Sequence, residues 1–178
     1  MPAMHPPQYL NSRLRYDPET GKLFWKIKEN ASLGWNTRWA GKEAFTAKSH
    51  GHHVGRLDGE NYYAHRVIWA MQTGEWPEDQ VDHINGDRTD NRWVNLRAAT
   101  VLQNSFNRGP QSNGSSGFKG VTWHSQQGRW AARIQAGGVN KSLGLHDTAE
   151  QAAAAYDAAA RKMHMAFSRA NFGEKYAS

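Results

Sequence analysis

The chain of 178 residues contains no cysteine. That excludes a disulfide scaffold, a structural thiolate zinc site and a thiol nucleophile together, and leaves oxygen and imidazole as the only metal donors. Also missing is any run of about 18 apolar residues, the length needed to span a bilayer. Residues 1–11 lack both the charged start and the apolar centre of a secretion signal. These absences predict a soluble protein with no membrane partner. Apolar side chains make up only 38% of the chain and mean hydropathy is −0.83. Eight Trp, six Tyr and six Phe nevertheless supply bulky core material, so the chain is not expected to be disordered throughout.

What is present in excess is positive charge. The net charge is +6 and the pI is 9.7, which points to a polyanionic partner such as nucleic acid. The distribution sharpens this. Residues 61–110 hold five basic and six acidic side chains, whereas Gln111 to His146 hold Lys119, Arg129, Arg133 and Lys141 and no carboxylate.

Along the chain, Asp17-Pro18-Glu19-Thr20-Gly21 is turn chemistry followed by an extended Lys22 to Lys26. Glu29 to Thr37 reads as a polar loop. A hairpin is predicted for Gly55 to Ala64 around Asp58-Gly59-Glu60, then a helix over Ala64 to Thr73 stopped by Gly74. A polar bridge from Asn107 to Gly117 sets the linker at 109–117, between domains 1–108 and 118–178. Beyond it, Phe118 to His124, Arg129 to Gln135 and Asn140 to Leu145 predict a three-stranded meander. Val121, Trp123, Trp130, Ala132, Ile134, Leu143 and Leu145 would share one face. A helix capped by Thr148 with Gln151 three residues on would lay Ala152, Ala155, Tyr156, Ala159, Ala160 and Met163 against that face.

The most unusual stretch runs Val81-Asp82-His83-Ile84-Asn85-Gly86-Asp87-Arg88-Thr89-Asp90-Asn91-Arg92-Trp93-Val94-Asn95-Leu96-Arg97, with Asn104 and Asn107 after it. Singly, such residues make turns and caps: Asn85-Gly86 a tight hairpin, Asp90 or Asn91 a capped turn, Asn95 a backbone bond. Together, Asp82-His83, Asn95 and Asn104 resemble in type and spacing the HNH endonuclease family. Ala64-His65-Arg66-Val67-Ile68-Trp69 and Asp90 to Arg97 resemble blocks of its phage and intron homing nucleases. The likeness covers about residues 10–108. It implies a ββα-metal finger in which His83 is the general base, Asp82 and Asn104 bind one divalent ion, and Asn95 fixes the loop that orients His83. The chemistry is consistent. Phosphodiester hydrolysis needs a deprotonated water and a cation near the leaving oxygen. Imidazole can take the proton near neutrality, and hard oxygen donors suit Mg2+, with Mn2+ as an alternative. No structural zinc is expected. His65 is a further candidate at the scissile phosphate, and Arg66 and Arg97 are candidate phosphate clamps. His50, His52 and His53 lie in a Gly-rich setting without further ligands and are set aside as a metal site. An EF-hand is excluded too, because Gly86 falls at the fifth loop position and Trp93 at the twelfth.

Phe118 to Trp123, Gly128 to Ile134, Leu143-Gly144, Thr148 to Ala160 and Ala170-Asn171-Phe172 resemble, in order and spacing, the plant Apetala and ethylene-response-factor DNA-binding domain. In that family the sheet enters the major groove. The resemblance therefore implies that Thr122, His124, Arg133, Gln135, Asn140 and Ser142 contact bases or phosphates, with Lys119, Arg129 and Lys141 as phosphate anchors. Arg133 stands where the plant proteins usually carry Glu, so their target sequence does not transfer.

The expected fold class is α+β: a ββα-metal nuclease domain with N-terminal β-hairpins, then a three-stranded antiparallel sheet packed on one α-helix. The expected function is a divalent-metal-dependent, site-specific DNA endonuclease of the homing type, acting on double-stranded DNA as a monomer or a DNA-assembled dimer. One His83 per chain predicts a nick. The expected setting is the cytoplasm of a bacterium or a phage-infected host. The alternative is a DNA-binding regulator or architectural protein whose nuclease-like domain does not cleave. An RNA-binding role is disfavoured because the sheet lacks an exposed aromatic pair for stacking bases.

Overall fold

The computed structural model describes residues 4–110 and 114–173. Residues 111–113 of the expected linker, and the expected domain ends 1–3 and 174–178, lie outside the described residues. The chain divides into two compact units, Met1–Thr100 and Val101–Ser178. Both mix helices with strands, which makes the protein α+β.

The first unit opens with helix α1 (Pro7–Arg13), strands β1 (Leu14–Asp17) and β2 (Lys22–Trp25), helix α2 (Leu33–Trp39) and strand β3 (Glu43–Ala44). The three strands form a sheet in the order β1-β2-β3. Residues 29–37, expected as a polar loop, contain most of α2. Two local interactions and one tertiary packing contact outweigh the polar composition. Ser32 caps the helix by accepting the Trp35 N–H, and the Asn36 amide bonds both backbone groups of Lys28 at 2.9 Å. Trp35 also packs edge-on to Trp25 at 5.8 Å, with the Arg13 guanidinium over its ring.

Strands β4 (Ala47–Ser49), β5 (His52–Leu57) and β6 (Glu60–Tyr63) form a meander, and β6 runs directly into α3 (Ala64–Thr73). Gly74 ends α3 in the left-handed conformation, as its position implies. Strands β7 (Gln80–His83) and β8 (Leu96–Ala99) pair antiparallel with His83 opposite Leu96 and Asp82 opposite Arg97. Between them runs a long loop that closes in a 3-10 turn at Trp93–Asn95. One core joins these pieces, built from Leu10, Leu14, Leu23, Leu57, Val67, Ile68, Val81 and Leu96. Its location fixes the ends of β5, α3 and β7 relative to one another.

The second unit contains α4 (Val101–Phe106), β9 (Val121–His124), β10 (Arg129–Ala136), β11 (Val139–His146) and α5 (Ala149–His164). The sheet order is β11-β10-β9, with α5 packed across it. Thr148 and Gln151 form the expected capping box. Val121, Ala132, Ala152 and Ala153 make one core patch, and Ile134, Tyr156 and Ala160 the next. Gly120 is required here: a Cβ would sit 2.1 Å from the Tyr156 ring, and φ is +75°. Buried Asp157 accepts the N–H groups of Asn171 and Phe172 at 2.8 and 2.9 Å, and Asn171 in turn bonds both backbone groups of Lys119. The chain beyond α5 is thereby tied down.

Two expectations about this unit need correction. The buried face of α5 carries Ala153, Asp157 and His164 beside Ala152, Tyr156 and Ala160, while Met163 is exposed. Buried Asp157 and His164 have hydrogen-bond partners, which a purely apolar stripe could not reveal. The sheet faces also do not follow one alternation. Pairing shifts between Ala131 and Arg133, so that Ala132 alone spans Leu143 and Gly144. This bulge at Gly144, φ +103°, puts Leu145 opposite Ala131 instead of on the helix side. Trp123 is 48% exposed, covered by Trp130 edge-on at 5.0 Å. No helix of the described residues is long and apolar enough to cross a membrane.

Candidate functional site

Successive side chains of a strand point to opposite faces, so Asp82 and His83 at the end of β7 face different neighbours. Asp82, 4% exposed, receives Arg97 Nε at 2.8 Å and Nη2 at 2.6 Å on Oδ2. The two are directly opposite across β7 and β8. His83, equally buried, has Nε2 at 2.9 Å from Asn91 Oδ1.

Around the His83 ring the core assembles two more imidazoles. His65 comes from the first turn of α3 and His52 from the first residue of β5. Ring centroids are 5.1 Å apart for His65 and His83, 4.8 Å for His52 and His65, and 5.4 Å for His52 and His83. A nitrogen from each ring lies within 4.8 Å of those of the other two. Tyr63 borders the group, 5.5 Å from His65 and 5.6 Å from His52. Burial, reinforced by the neighbouring imidazoles, lowers His65 to about 3 and His52 to about 4. Burial also lowers His83, against the upward pull of the Asn91 hydrogen bond and the carboxylates of Asp82, Asp87 and Asp90. All three rings are therefore neutral at pH 7, and His83 can accept a proton.

Asn95 organises the loop between β7 and β8. Its Oδ1 accepts the Asn85 N–H at 2.9 Å and its Nδ2 donates to the Asp90 carbonyl at 2.7 Å. Asp90 is gripped by Arg92 Nε and Nη2, which hold its carboxyl at about 2. Arg88 ties the same loop to the His50 carbonyl. His83 is thus oriented through Asn91, and the loop through Asn95. The sequence names Asn91 only as a candidate turn cap and sets His52 aside as a metal ligand. The imidazoles beside His52 come from α3 and β7, not from its own segment.

The other candidates distribute as follows. Arg66 donates to the carbonyls of Asp79 and Pro77, stapling α3 to the segment before β7. Asn104 lies on α4 in the second unit. Lys119 turns inward: its Nζ donates to the Phe106 carbonyl and lies 5.8 Å from the centre of the Tyr156 ring. Burial brings it down to about 8. Thr122 pairs with Ala131, His124 with Arg129, Arg133 with Ser142 and Gln135 with Asn140, so these side chains share the face turned away from α5. Thr122, Arg129, Arg133, Gln135, Asn140 and Ser142 are exposed and His124 is half-buried. Arg129 is paired with exposed Asp147 at 2.8 Å, an acid just past the stretch that has none. Lys141 is exposed opposite Ile134, on the α5 side.

Comparison with known proteins finds two families along the chain. Residues 62–106 match the HNH endonuclease family and residues 116–166 match the AP2 domain. Protein 3.8 of Escherichia phage T7 is 29% identical over 106 residues, which cover 59% of this chain and 87% of that protein. An uncharacterized HNH endonuclease of Acanthamoeba polyphaga mimivirus is 35% identical over 109 residues, 60% of this chain and 56% of its own length. An AP2-like ethylene-responsive transcription factor of Arabidopsis thaliana is 55% identical over 53 residues, 29% of this chain and 11% of the factor. No solved structure matches. The chain therefore carries a segment that matches the HNH endonuclease family, followed by one that matches the AP2 domain.

Proposed function

We propose that the protein is a divalent-metal-dependent DNA endonuclease in which the HNH segment cuts and the AP2 domain holds double-stranded DNA. The observation that carries this reading is the His83 ring, neutral and held by Asn91, at the end of a strand inside the matched HNH segment. His83 takes the proton of the attacking water, and Asn91 keeps the ring oriented as it becomes an imidazolium. Asn95 holds the loop, and His65, its ring centre 5.1 Å from that of His83, is the further candidate at the scissile phosphate. The matched segment includes Asp82, His83, Asn95 and Asn104, and its likeness to the HNH family supports a ββα-metal reading. Asp82 and Asn104 supply the hard oxygen donors that suit Mg2+ or Mn2+. A divalent ion bound there would supply neutralisation of charge developing on the leaving oxygen. Arg66, Arg97, Arg129 and Lys141 are assigned to phosphates, with the other residues of the AP2 sheet face reading the groove, whereas Lys119, with its ammonium on the Phe106 carbonyl, is assigned a structural role. Tethering two weak DNA contacts gives an effective concentration of about mM, which supports one specific binder. One base per chain gives a nick, unless two chains meet on one site.

A second reading, a DNA-binding regulator whose HNH segment does not cleave, is favoured by the Asp82–Arg97 ion pair, which engages the expected metal ligand. Incubating supercoiled plasmid with Mg2+, with and without chelator, and with His83→Ala separates the two. Chelator-sensitive nicking abolished by His83→Ala is expected. Equal plasmid integrity in wild type and variant, with the gel shift retained, rejects the enzyme.

A further inference from the structure

We propose that His52, His65 and His83 form a cation site of their own, built for a late first-row divalent ion such as Zn2+, Co2+ or Ni2+ and chemically separate from the oxygen donors assigned to Mg2+. Imidazole nitrogen suits these ions, whereas Mg2+ and Ca2+ take oxygen. The three nitrogens lie within 4.8 Å of one another. A tetrahedral ion with bonds of about 2.1 Å places its ligands roughly 3.4 Å apart, so binding an ion requires the rings to close further.

Three further features make this more than an incidental cluster. The Nδ1 atoms of His65 and His52 are buried without a hydrogen-bond partner, and His65 as a whole is 7% exposed. Unsatisfied buried nitrogens are costly and call for a partner, which an ion supplies. His83 carries the outer hydrogen bond that metal-bound histidines usually have, here to Asn91 Oδ1. The group borders solvent as well, because His52 is half-buried and Tyr63 is 36% exposed. The three residues come from β5, α3 and β7, so the site exists only in the folded unit. Because His83 belongs to both groups, an ion held here takes the lone pair that the proposed base uses. This consequence rests on the nuclease reading, whereas the binding itself does not.

The test is Co2+ titration of the full chain, followed by visible absorption. One equivalent is expected to develop the d–d bands of a low-coordinate nitrogen site, and millimolar Mg2+ is expected to leave them unchanged. His52→Ala is expected to weaken binding by about 100-fold, given that even the loss of an outer partner costs about 10- to 100-fold, while His50→Ala binds as wild type. A titration of wild-type protein with Zn2+, read by the ring-nitrogen NMR shifts of its histidines, covers the case in which His52→Ala does not fold. The rings that move are expected to be those of His52, His65 and His83. No stoichiometric Co2+ binding, unchanged binding in His52→Ala, or shifts confined to other histidines overturns the proposal. Since none of these readouts uses cleavage, an inactive but Co2+-binding protein rejects the nuclease reading alone.

Discussion

His83 Nε2 and Asn91 Oδ1 lie 2.9 Å apart, with both residues buried. The bond links the end of β7 to the loop leading into β8 and sets both the tilt and the tautomer of the ring. A misoriented base loses much of the 10²–10⁴-fold that positioned proton transfer contributes. Asn91→Ala is therefore expected to lower single-turnover nicking by about 10²-fold while plasmid binding persists. Wild-type rates in this variant would remove Asn91 from the site.

The pH dependence of nicking follows from the same environment. Burial lowers the His83 pKa from its ordinary 6.5, so the ring stays unprotonated further into acid and the acid limb of the rate profile lies below pH 6.5. Asn91→Asp sets a carboxylate against the ring, favours the imidazolium and moves that limb upward. Single-turnover rates between pH 5 and 8 check both. An acid limb above 6.5 in the wild type, or none shifted in the variant, contradicts the assignment of His83 as the base.

Stability should respond to pH in the same direction through His65 and His52. Their folded values of about 3 and about 4 lie below the ordinary imidazole value of 6.5, so between those values the unfolded chain binds more protons than the folded one. The stabilisation is fully present above pH 6.5 and is lost progressively as pH falls towards 3. Thermal unfolding from pH 7 to 4.5 is expected to show a falling Tm in the wild type and a shallower fall in His65→Phe. Identical slopes for the two proteins would show that His65 does not carry the effect.

Arg97 faces Asp82 where both side chains are largely withdrawn from water, at 16% and 5% exposure. Removing one partner of such a pair strands the other, at a cost of about 3–5 kcal/mol. Arg97→Ala is expected to lose stability on that scale in urea unfolding. Asp82→Ala combined with Arg97→Ala should recover part of it, since no buried charge then remains unpaired. Additive losses in the double variant would mean that the two side chains act independently.

How much of this was legible in the sequence varies by residue. His83, Asn95 and His65 were found because motif spacing places them at a strand end, a loop anchor and a helix start, all local features. The cap at Thr148 and the stop at Gly74 are local in the same way. His52 was not legible, because its partners are 13 and 31 positions away and meet it only when β5, α3 and β7 pack on one core. Asn91 was hidden among neighbouring polar residues, since only geometry decides that it bonds the ring while Asn95 bonds the loop. Helix α2 escaped because its stability comes from Trp25 and Arg13 on other elements. The alternation of β11 breaks at Gly144 because a bulge reverses parity, and the inward turn of Lys119, expected as a phosphate anchor, is hidden in the sequence because its carbonyl partner belongs to α4.

The AP2 sheet offers the sharpest contrast between two basic residues of one segment. Arg133 is exposed beside Ser142, on the face turned away from α5, where a guanidinium can bond a base edge or a phosphate. Lys119 has its ammonium on the Phe106 carbonyl and near the Tyr156 ring. Arg133→Ala is expected to weaken DNA binding by about 10- to 100-fold, or about 1–3 kcal/mol, with Tm unchanged. Gel shifts at two salt concentrations then sort its role: a smaller salt slope marks a phosphate contact, and an unchanged slope with relaxed sequence preference marks a base contact. Lys119→Met is expected to act chiefly on Tm, because it leaves the Phe106 carbonyl without its donor. Should Lys119→Met instead reduce affinity and salt slope at constant Tm, the lysine is a DNA anchor after all, and its inward contact gives way when DNA binds.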